Sequence, residues 1–551
     1  MRLPLIPHPT CSPAGLTLEV EARRAGRVLS LEYLLAGPVE RVRWPQATAR
    51  VRTDELWRTT CFEAFVRTEG GYVEYNLSPS GAWAAYRFDG YREGMRGLEI
   101  AAPFIVTRMA QGRFVLTVDV ELPEDATDAV GLTAVVEGLE GALDGAIAYW
   151  ALAHPSDKPD FHHPDSGQLK GRRVALLAHP ASVTRDLSHA VDALAACPEI
   201  TLTAAFGPQH GMKGDLQDNM MESPDYRDPV HGFPVFSLYG EVRRPKDEWM
   251  ETFDVVLIDL QDLGCRIYTY VTTLLYVLEA AAKHGKSVWV LDRPNPAGRP
   301  VEGMTLKPGW ESFVGAGPMP MRHGMTLGEL GLWFIDRFKL DLDYRVVEMQ
   351  GWAPEAGPGF GWPLGERSWV NPSPNAPNLS MARCYAGTVM LEGATLSEGR
   401  GTTRPLELFG APDIDARAVI AEMQALAPEW LGGCVLRDMW FEPTFHKHVG
   451  KLCSGVQIHV DHPGYDHAAF RPWRVQALGF KAIRRLYPDY DLWRDFPYEY
   501  AFGKLPIDVI NGGPGLREWV DDAAAGPGDL EAATRPDEAA WEEARRGFLL
   551  Y

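Results

Sequence analysis

The apolar residues of this chain change their period near residue 157, and that change limits what can fold on either side. Up to about residue 150 they alternate over short runs, as in Leu16-Thr-Leu-Glu-Val-Glu-Ala, Val28-Leu-Ser-Leu-Glu-Tyr-Leu, Tyr72-Val-Glu-Tyr-Asn-Leu and Phe114-Val-Leu-Thr-Val-Asp-Val. Period-two runs bounded by turn residues predict a β-sandwich. The stretch from Asp157 to Gly171 is rich in Pro, His and Asp and marks a boundary. Beyond it, fully apolar runs (Val174-Ala-Leu-Leu-Ala, Leu202-Thr-Ala-Ala-Phe, Val255-Val-Leu-Ile-Asp, Ser287-Val-Trp-Val-Leu-Asp) alternate with helical segments near His189 to Ala196 and up to His284. Strands buried on both faces and separated by helices predict a parallel, doubly wound, Rossmann-like sheet. A second, smaller α/β part follows Met325, where Thr326 and Glu329 form a capping box, and includes a helix from Phe470 to Tyr487. The expected division is 1–166, 169–320, 321–515 and an acidic, partly helical tail at 516–551, within the three to four domains that a chain of 551 residues allows.

Charge narrows the partners. With 54 Lys and Arg against 74 Asp and Glu the net charge is −20, which argues against nucleic acid or an anionic membrane surface as ligand. Seven scattered cysteines without a Cys-x-x-Cys pair read as free thiols. Prolines interrupt the N-terminal Met1-Arg-Leu-Pro-Leu-Ile-Pro and no apolar run approaches 18 residues, so a cytoplasmic protein is expected.

In an open parallel sheet, ligands bind beyond the carboxyl ends of the strands. Those ends carry His179, Gln209-His210-Gly211 with Lys213, Asp215 and Asp218, then Asp259, Gln261 and Asp262, then Asp292-Arg293-Pro294-Asn295. Caps and turns account for some of these residues, but clusters at four successive strand ends point to a site. No Gly-x-Gly-x-x-Gly or phosphate-cradling loop follows the first strand, so no nucleotide cofactor is expected. Further on, Glu302, Arg322-His323-Gly324, Asn371-Pro-Ser-Pro-Asn375, Glu392 and Ser397-Glu398-Gly399-Arg400-Gly401 lie in Gly- and Pro-flanked loops suited to acid/base chemistry beside an arginine. The pairs His446/His448 and His459/His462 have strand-like metal spacing but no third ligand, so no metal is expected.

Eight blocks between about Leu169 and Asn511 together resemble the NamZ-type exo-β-N-acetylmuramidases. They are Phe206-Gly-Pro-Gln-His-Gly-Met-Lys-Gly-Asp215, Val235-Phe-Ser-Leu-Tyr-Gly240, Asp259-Leu-Gln-Asp-Leu-Gly-Cys-Arg-Ile-Tyr-Thr-Tyr270, Leu291-Asp-Arg-Pro-Asn-Pro296, Val301-Glu-Gly303, Arg322-His-Gly-Met-Thr326, Pro372-Ser-Pro-Asn375 and Leu391 to Thr403. The resemblance implies a cofactor-free glycosidase that removes terminal N-acetylmuramic acid (MurNAc) from peptidoglycan fragments in cell-wall recycling. It also implies catalytic candidates at Gln209, His210, Asp215, Asp262, Glu302, Glu392 and Glu398, and substrate-binding candidates at Arg266, Tyr268, Arg293, Asn295, Arg322, His323, Asn375, Arg400 and Arg404. One or two of the arginines are expected to meet the lactyl carboxylate of MurNAc.

The family typically has Gly-Pro-Glu-His-Gly where this chain has Gln209, and a glutamine cannot exchange a proton near neutral pH. Either another carboxylate carries the chemistry, with the sugar's acetamido group a possible nucleophile, or the chain binds MurNAc or muropeptides without hydrolysis. Residues 1–166 resemble DOMON-like domains related to family-nine carbohydrate-binding modules, on the text Leu56 to Phe65, Tyr75 to Asp89 and Tyr149 to His162. That resemblance implies a sugar platform at Trp57, Trp83, Tyr86 and Trp150.

Overall fold

The computed structural model describes residues 2–8, 11, 15–68, 70–90, 94–139, 147–152, 172–197, 200–218, 220–349, 351–357, 359–365 and 367–551. It divides into two compact units, Met1–Lys170 and Gly171–Tyr551. The Pro-, His- and Asp-rich boundary at 157–171 lies outside the described residues.

In the first unit eleven strands form one antiparallel sheet. It runs from Arg96–Gly97 through Trp83–Phe88, Gly71–Leu77, Cys61–Thr68, Ala126–Glu137, Ile147–Ala151, Arg2–Pro7, Thr17–Ala25, Val28–Ala36 and Arg113–Glu121 to Val106–Ala110. The sheet curls so that its halves share one core: Leu18, Val20, Leu31 and Tyr33 pack with Phe62, Ala64, Val66 and Tyr75. The Tyr33 and Phe62 rings lie 5.0 Å apart, and the Tyr33 hydroxyl donates to the Glu63 carbonyl oxygen across the fold. The expected alternation is present in Val28–Ala36, where every second residue is buried. Cys61–Thr68 is buried on both faces, because a smaller cluster of Leu56, Cys61, Ala84, Tyr86 and Phe88 covers its other side.

This packing corrects the expected sugar platform. Trp83 and Trp150 are only 6% and 2% exposed and belong to the main core, so their faces are taken by protein. The Tyr86 ring is buried in the smaller cluster and its hydroxyl donates to Asp54. Trp57, edge-on to Tyr86 at 6.1 Å, is the member that keeps some exposed surface. Strand pleating sends alternate side chains to opposite faces, and register, not residue type, put these aromatics inward.

In the second unit the apolar runs become a seven-stranded sheet. Its order is Tyr226–Arg227, Pro234–Ser237, Thr201–Gly207, Arg173–Ala178, Val255–Asp259, Ser287–Leu291 and Tyr344–Val347. All neighbours are parallel except the first pair. The chain leaves Arg173–Ala178 to one side for Thr201–Gly207 and comes back on its other side at Val255–Asp259, which opens a crevice at their carboxyl ends. A three-stranded antiparallel sheet of Leu408–Ala411, Cys453–His459 and Val435–Phe441 packs with the helices Leu379–Thr388, Ala416–Leu426 and Pro472–Leu486.

One core joins these layers, running through Ile258, Leu278, Met319, Met325, Phe409, Val456 and Phe480, and the expected boundary at 320/321 falls inside it. The Thr326 capping box forms, opening the helix Leu327–Phe338. The acidic tail becomes the helix Pro527–Arg545, which docks on the body: Trp541 donates to the His323 carbonyl, and Arg545 to those of Arg299 and Gly324. All seven cysteines are free. No helix among the described residues is long and apolar enough to cross a membrane.

Candidate active site

The loop after Thr201–Gly207 brings Gln209 and His210 to the crevice, where they line a pocket with Tyr268, Thr269, Ser373, Asn375, Tyr385, Glu392, Arg400, Tyr498 and Glu499. The backbone there is unusual: His210, Leu406 and Glu499, all at this pocket, have φ of +68°, +60° and +46°. Left-handed non-glycine residues are disfavoured by sterics and collect at functional sites where the surroundings over-determine them.

Arg400 organises one wall. Its Nη2 donates to Glu392 at 2.6 Å and its Nε to Glu398 at 2.8 Å. Glu392 also accepts the Tyr498 hydroxyl at 2.6 Å. Burial alone would raise the Glu398 carboxyl, but Lys447 at 2.7 Å, His446 and Arg400 hold it well below the usual carboxylate range. Glu398 is therefore a fixed anion that orients Arg400 and has no proton to give.

The opposite wall is made of hydrogen-bonded polar groups. The Gln209 Oε1 accepts from the Thr269 hydroxyl at 2.8 Å. The His210 Nδ1 lies 2.7 Å from the Leu216 carbonyl oxygen, so Nδ1 carries the proton. Burial lowers the His210 pKa, which keeps the ring neutral and leaves Nε2 as an acceptor. The Tyr239 hydroxyl donates to Glu499 at 3.0 and 2.9 Å from its two oxygens. The Glu499 carboxyl is pushed up to about 7, first by burial and then by the charge of Glu392, against the lowering influence of Tyr239, Arg243 and Gln209.

Of the residues singled out from sequence, Gln209, His210, Tyr268, Asn375, Glu392 and Arg400 line this pocket. The others are placed elsewhere, and each has a structural reason. Asp215 lines a neighbouring hollow with Lys213 and Tyr226. Asp262 accepts the Gly264 amide and faces the His323 Nε2 at 3.5 Å, both side chains being buried. Glu302 is buried at the start of the Pro472–Leu486 helix, where it accepts the Trp473 and Arg474 amides at 3.1 and 2.9 Å and pairs with the Arg474 guanidinium. It satisfies donors that a helix N-terminus leaves open.

Arg266 donates to the Ile510 and Asn511 carbonyls, and Arg322 to those of Phe470 and Ala297. Arg293 is paired with Asp259, and Arg404 with Glu407. Asn295 bridges Ala297, Gly298 and Met325. These four arginines have partners within the protein, and none of them lines this pocket. His446 and His448 sit in a turn with positive φ, not on a strand. No group of three or more His, Cys, Asp or Glu among the described residues is placed to hold a metal.

Tyr498 and Glu499 were missed from sequence. They follow no strand of the parallel sheet, and only the run Pro497-Tyr-Glu-Tyr500 of aromatics around one acid hinted at them.

Comparison with known proteins agrees with this architecture. The family model for the N-terminal part of the exo-beta-N-acetylmuramidase NamZ matches residues 174–380, and that for its C-terminal part matches 383–551. The peptidoglycan beta-N-acetylmuramidase NamZ of Bacillus subtilis (strain 168) is 42% identical over 323 residues, 58% of this chain and 75% of that protein. Two crystal structures of DUF1343 family proteins from Bacteroides fragilis NCTC 9343 are similar, with TM-scores of 0.59 and 0.54 at 28% and 25% identity. Each covers 70% of this chain and 95% of its own. The chain therefore belongs to the exo-beta-N-acetylmuramidase NamZ family.

Proposed function

We propose that the second unit is a glycosidase that releases MurNAc from the non-reducing end of peptidoglycan fragments. The observation that carries this is a single pocket holding two carboxyl groups in contrasting surroundings, Glu392 ion-paired with the Arg400 guanidinium and Glu499 hydrogen-bonded by the Tyr239 hydroxyl. Glycoside cleavage commonly uses a pair of carboxyl groups flanking the scissile bond. The reading of the chain as a binder without hydrolysis loses its ground, because Gln209 is not the pocket's only polar side chain of carboxyl size: Glu392 and Glu499 remain. Arg400 is the guanidinium of the original five that lines the pocket, and the lactyl carboxylate is assigned to it.

The parallel sheet is taken as a Rossmann-like, doubly wound scaffold, the protein as cytoplasmic, and its role as cell-wall recycling. The first unit is taken as a DOMON-like carbohydrate-binding module, its sugar contact now resting on Trp57. The test is release of an aryl alcohol from aryl β-MurNAc and aryl β-GlcNAc glycosides by the full chain. Hydrolysis of the first and not the second is expected; turnover of neither overturns the proposal.

A further inference from the structure

We infer that Glu499, presented by the tight turn Tyr498–Ala501 and oriented by Tyr239, is the group that protonates the leaving glycosidic oxygen. This rests on the glycosidase reading above and names its acid.

The Ala501 amide donates to the Tyr498 carbonyl at 2.9 Å, and the two central residues, Glu499 and Tyr500, have φ of +46° and +63°. Two successive positive φ values suit Gly or Asn, and this chain places a glutamate and a tyrosine there. The surroundings hold the turn from several sides. The Tyr498 hydroxyl donates to Glu392, and the Tyr500 hydroxyl to Glu222 at 2.9 Å. The Arg243 guanidinium lies 4.9 Å from the Tyr500 ring and 4.0 Å from that of Tyr239. The Glu499 amide faces the Met220 sulfur at 3.3 Å.

The two pocket carboxyls are thereby set apart. Glu392 has Arg400; among the described residues no lysine or arginine ion-pairs with Glu499. The groups facing Glu499 are Tyr239 and Arg243 from the segment after Pro234–Ser237, Gln209 from the loop after Thr201–Gly207, Glu392 from the turn Val389–Gly393, and Tyr498 and Tyr500 beside it in its own turn. Their balance, dominated by burial, brings the carboxyl to about 7. A neutral amide at 209 lines the same pocket without adding a second anion.

In the step, the bond between the sugar C1 and the glycosidic oxygen breaks with its electron pair on oxygen, which takes the Glu499 proton. Water adds its oxygen to C1 and releases one proton, and the Glu499 carboxylate regains one, so glycoside and water become free sugar and alcohol.

A proton donor is dispensable when the leaving group needs no proton. The experiment compares MurNAc-β-1,4-GlcNAc with 2,4-dinitrophenyl β-MurNAc across pH, using wild type, Glu499→Gln and Tyr239→Phe. Glu499→Gln is expected to lower kcat/KM for the disaccharide by about 10²–10⁴-fold, to lower it less than about tenfold for the dinitrophenyl compound, and to abolish the alkaline limb of the pH profile. Tyr239→Phe, a positioning variant, removes a hydrogen bond to the carboxylate and is expected to move that limb to higher pH. Equal losses on both substrates with the limb kept, or full disaccharide activity in Glu499→Gln, overturn the inference. If Glu499→Gln does not fold, an unmoved limb in Tyr239→Phe overturns it. A wild type silent on both substrates overturns the glycosidase reading instead.

Discussion

The Tyr239 hydroxyl donates to both carboxylate oxygens of Glu499, at 3.0 and 2.9 Å, although the two residues are 260 positions apart. That contact joins the parallel sheet to the C-terminal part of the unit and places a carboxyl where burial raises its pKa to about 7, against an ordinary 4.5. The stability of the protein should register this. Between roughly pH 4.5 and 7 the native state holds a proton that the unfolded state has lost, so the contribution of Glu499 is present below that window and declines as pH rises through it. Glu499→Gln lacks this dependence. Its Tm relative to wild type should therefore climb from pH 4.5 to 8, read by calorimetry; a constant difference would show that the carboxyl titrates normally.

Gln209→Glu would set a new carboxylate against Glu499 and near Glu392. A like charge disfavours ionisation, so the alkaline limb of kcat/KM should move to higher pH, and wild-type turnover at pH 7 should not depend on a glutamate at 209. The measurement is the pH profile of both proteins on an aryl β-MurNAc glycoside. A silent wild type revived by Gln209→Glu would return position 209 to the catalytic role.

Lys447 and Glu398 are buried partners 2.7 Å apart, and Lys447 also donates to the Leu391 and Ala394 carbonyls. Removing one partner leaves the other charge buried and costs about 3–5 kcal/mol. Lys447→Met should lower the urea midpoint by the equivalent amount, and Lys447→Met with Glu398→Gln should cost less than the two single changes added. Additivity in this double-mutant cycle would show the pair to be uncoupled.

The first unit offers a test of burial against display. Trp150→Ala opens a cavity in the core and should destabilise the unit by about 3–5 kcal/mol, lowering its thermal transition. Trp57→Ala, at a half-buried edge, should leave that transition within a few degrees while weakening any saccharide binding measured by calorimetry. Equal destabilisation by both would place Trp57 in the core as well.

The change of apolar period, the buried parallel strands, the Thr326 capping box and the eight family blocks were all legible in the sequence, because each is set by local spacing or local hydrogen bonding. Gln209, His210, Glu392 and Arg400 were legible for the same reason, as polar residues in glycine-flanked loops. What only the tertiary structure decided is which charges meet. Arg266, Arg293 and Arg322 have the same local look as Arg400, yet carbonyls and Asp259 hold them, since a buried guanidinium pairs with whichever acceptors the packing brings near. Trp83 and Trp150 turned inward by strand register, which composition does not reveal. Glu499 became a pocket carboxyl because a turn with two left-handed residues is tolerable only where partners hundreds of residues away hold it, and no local rule of sequence contains those partners.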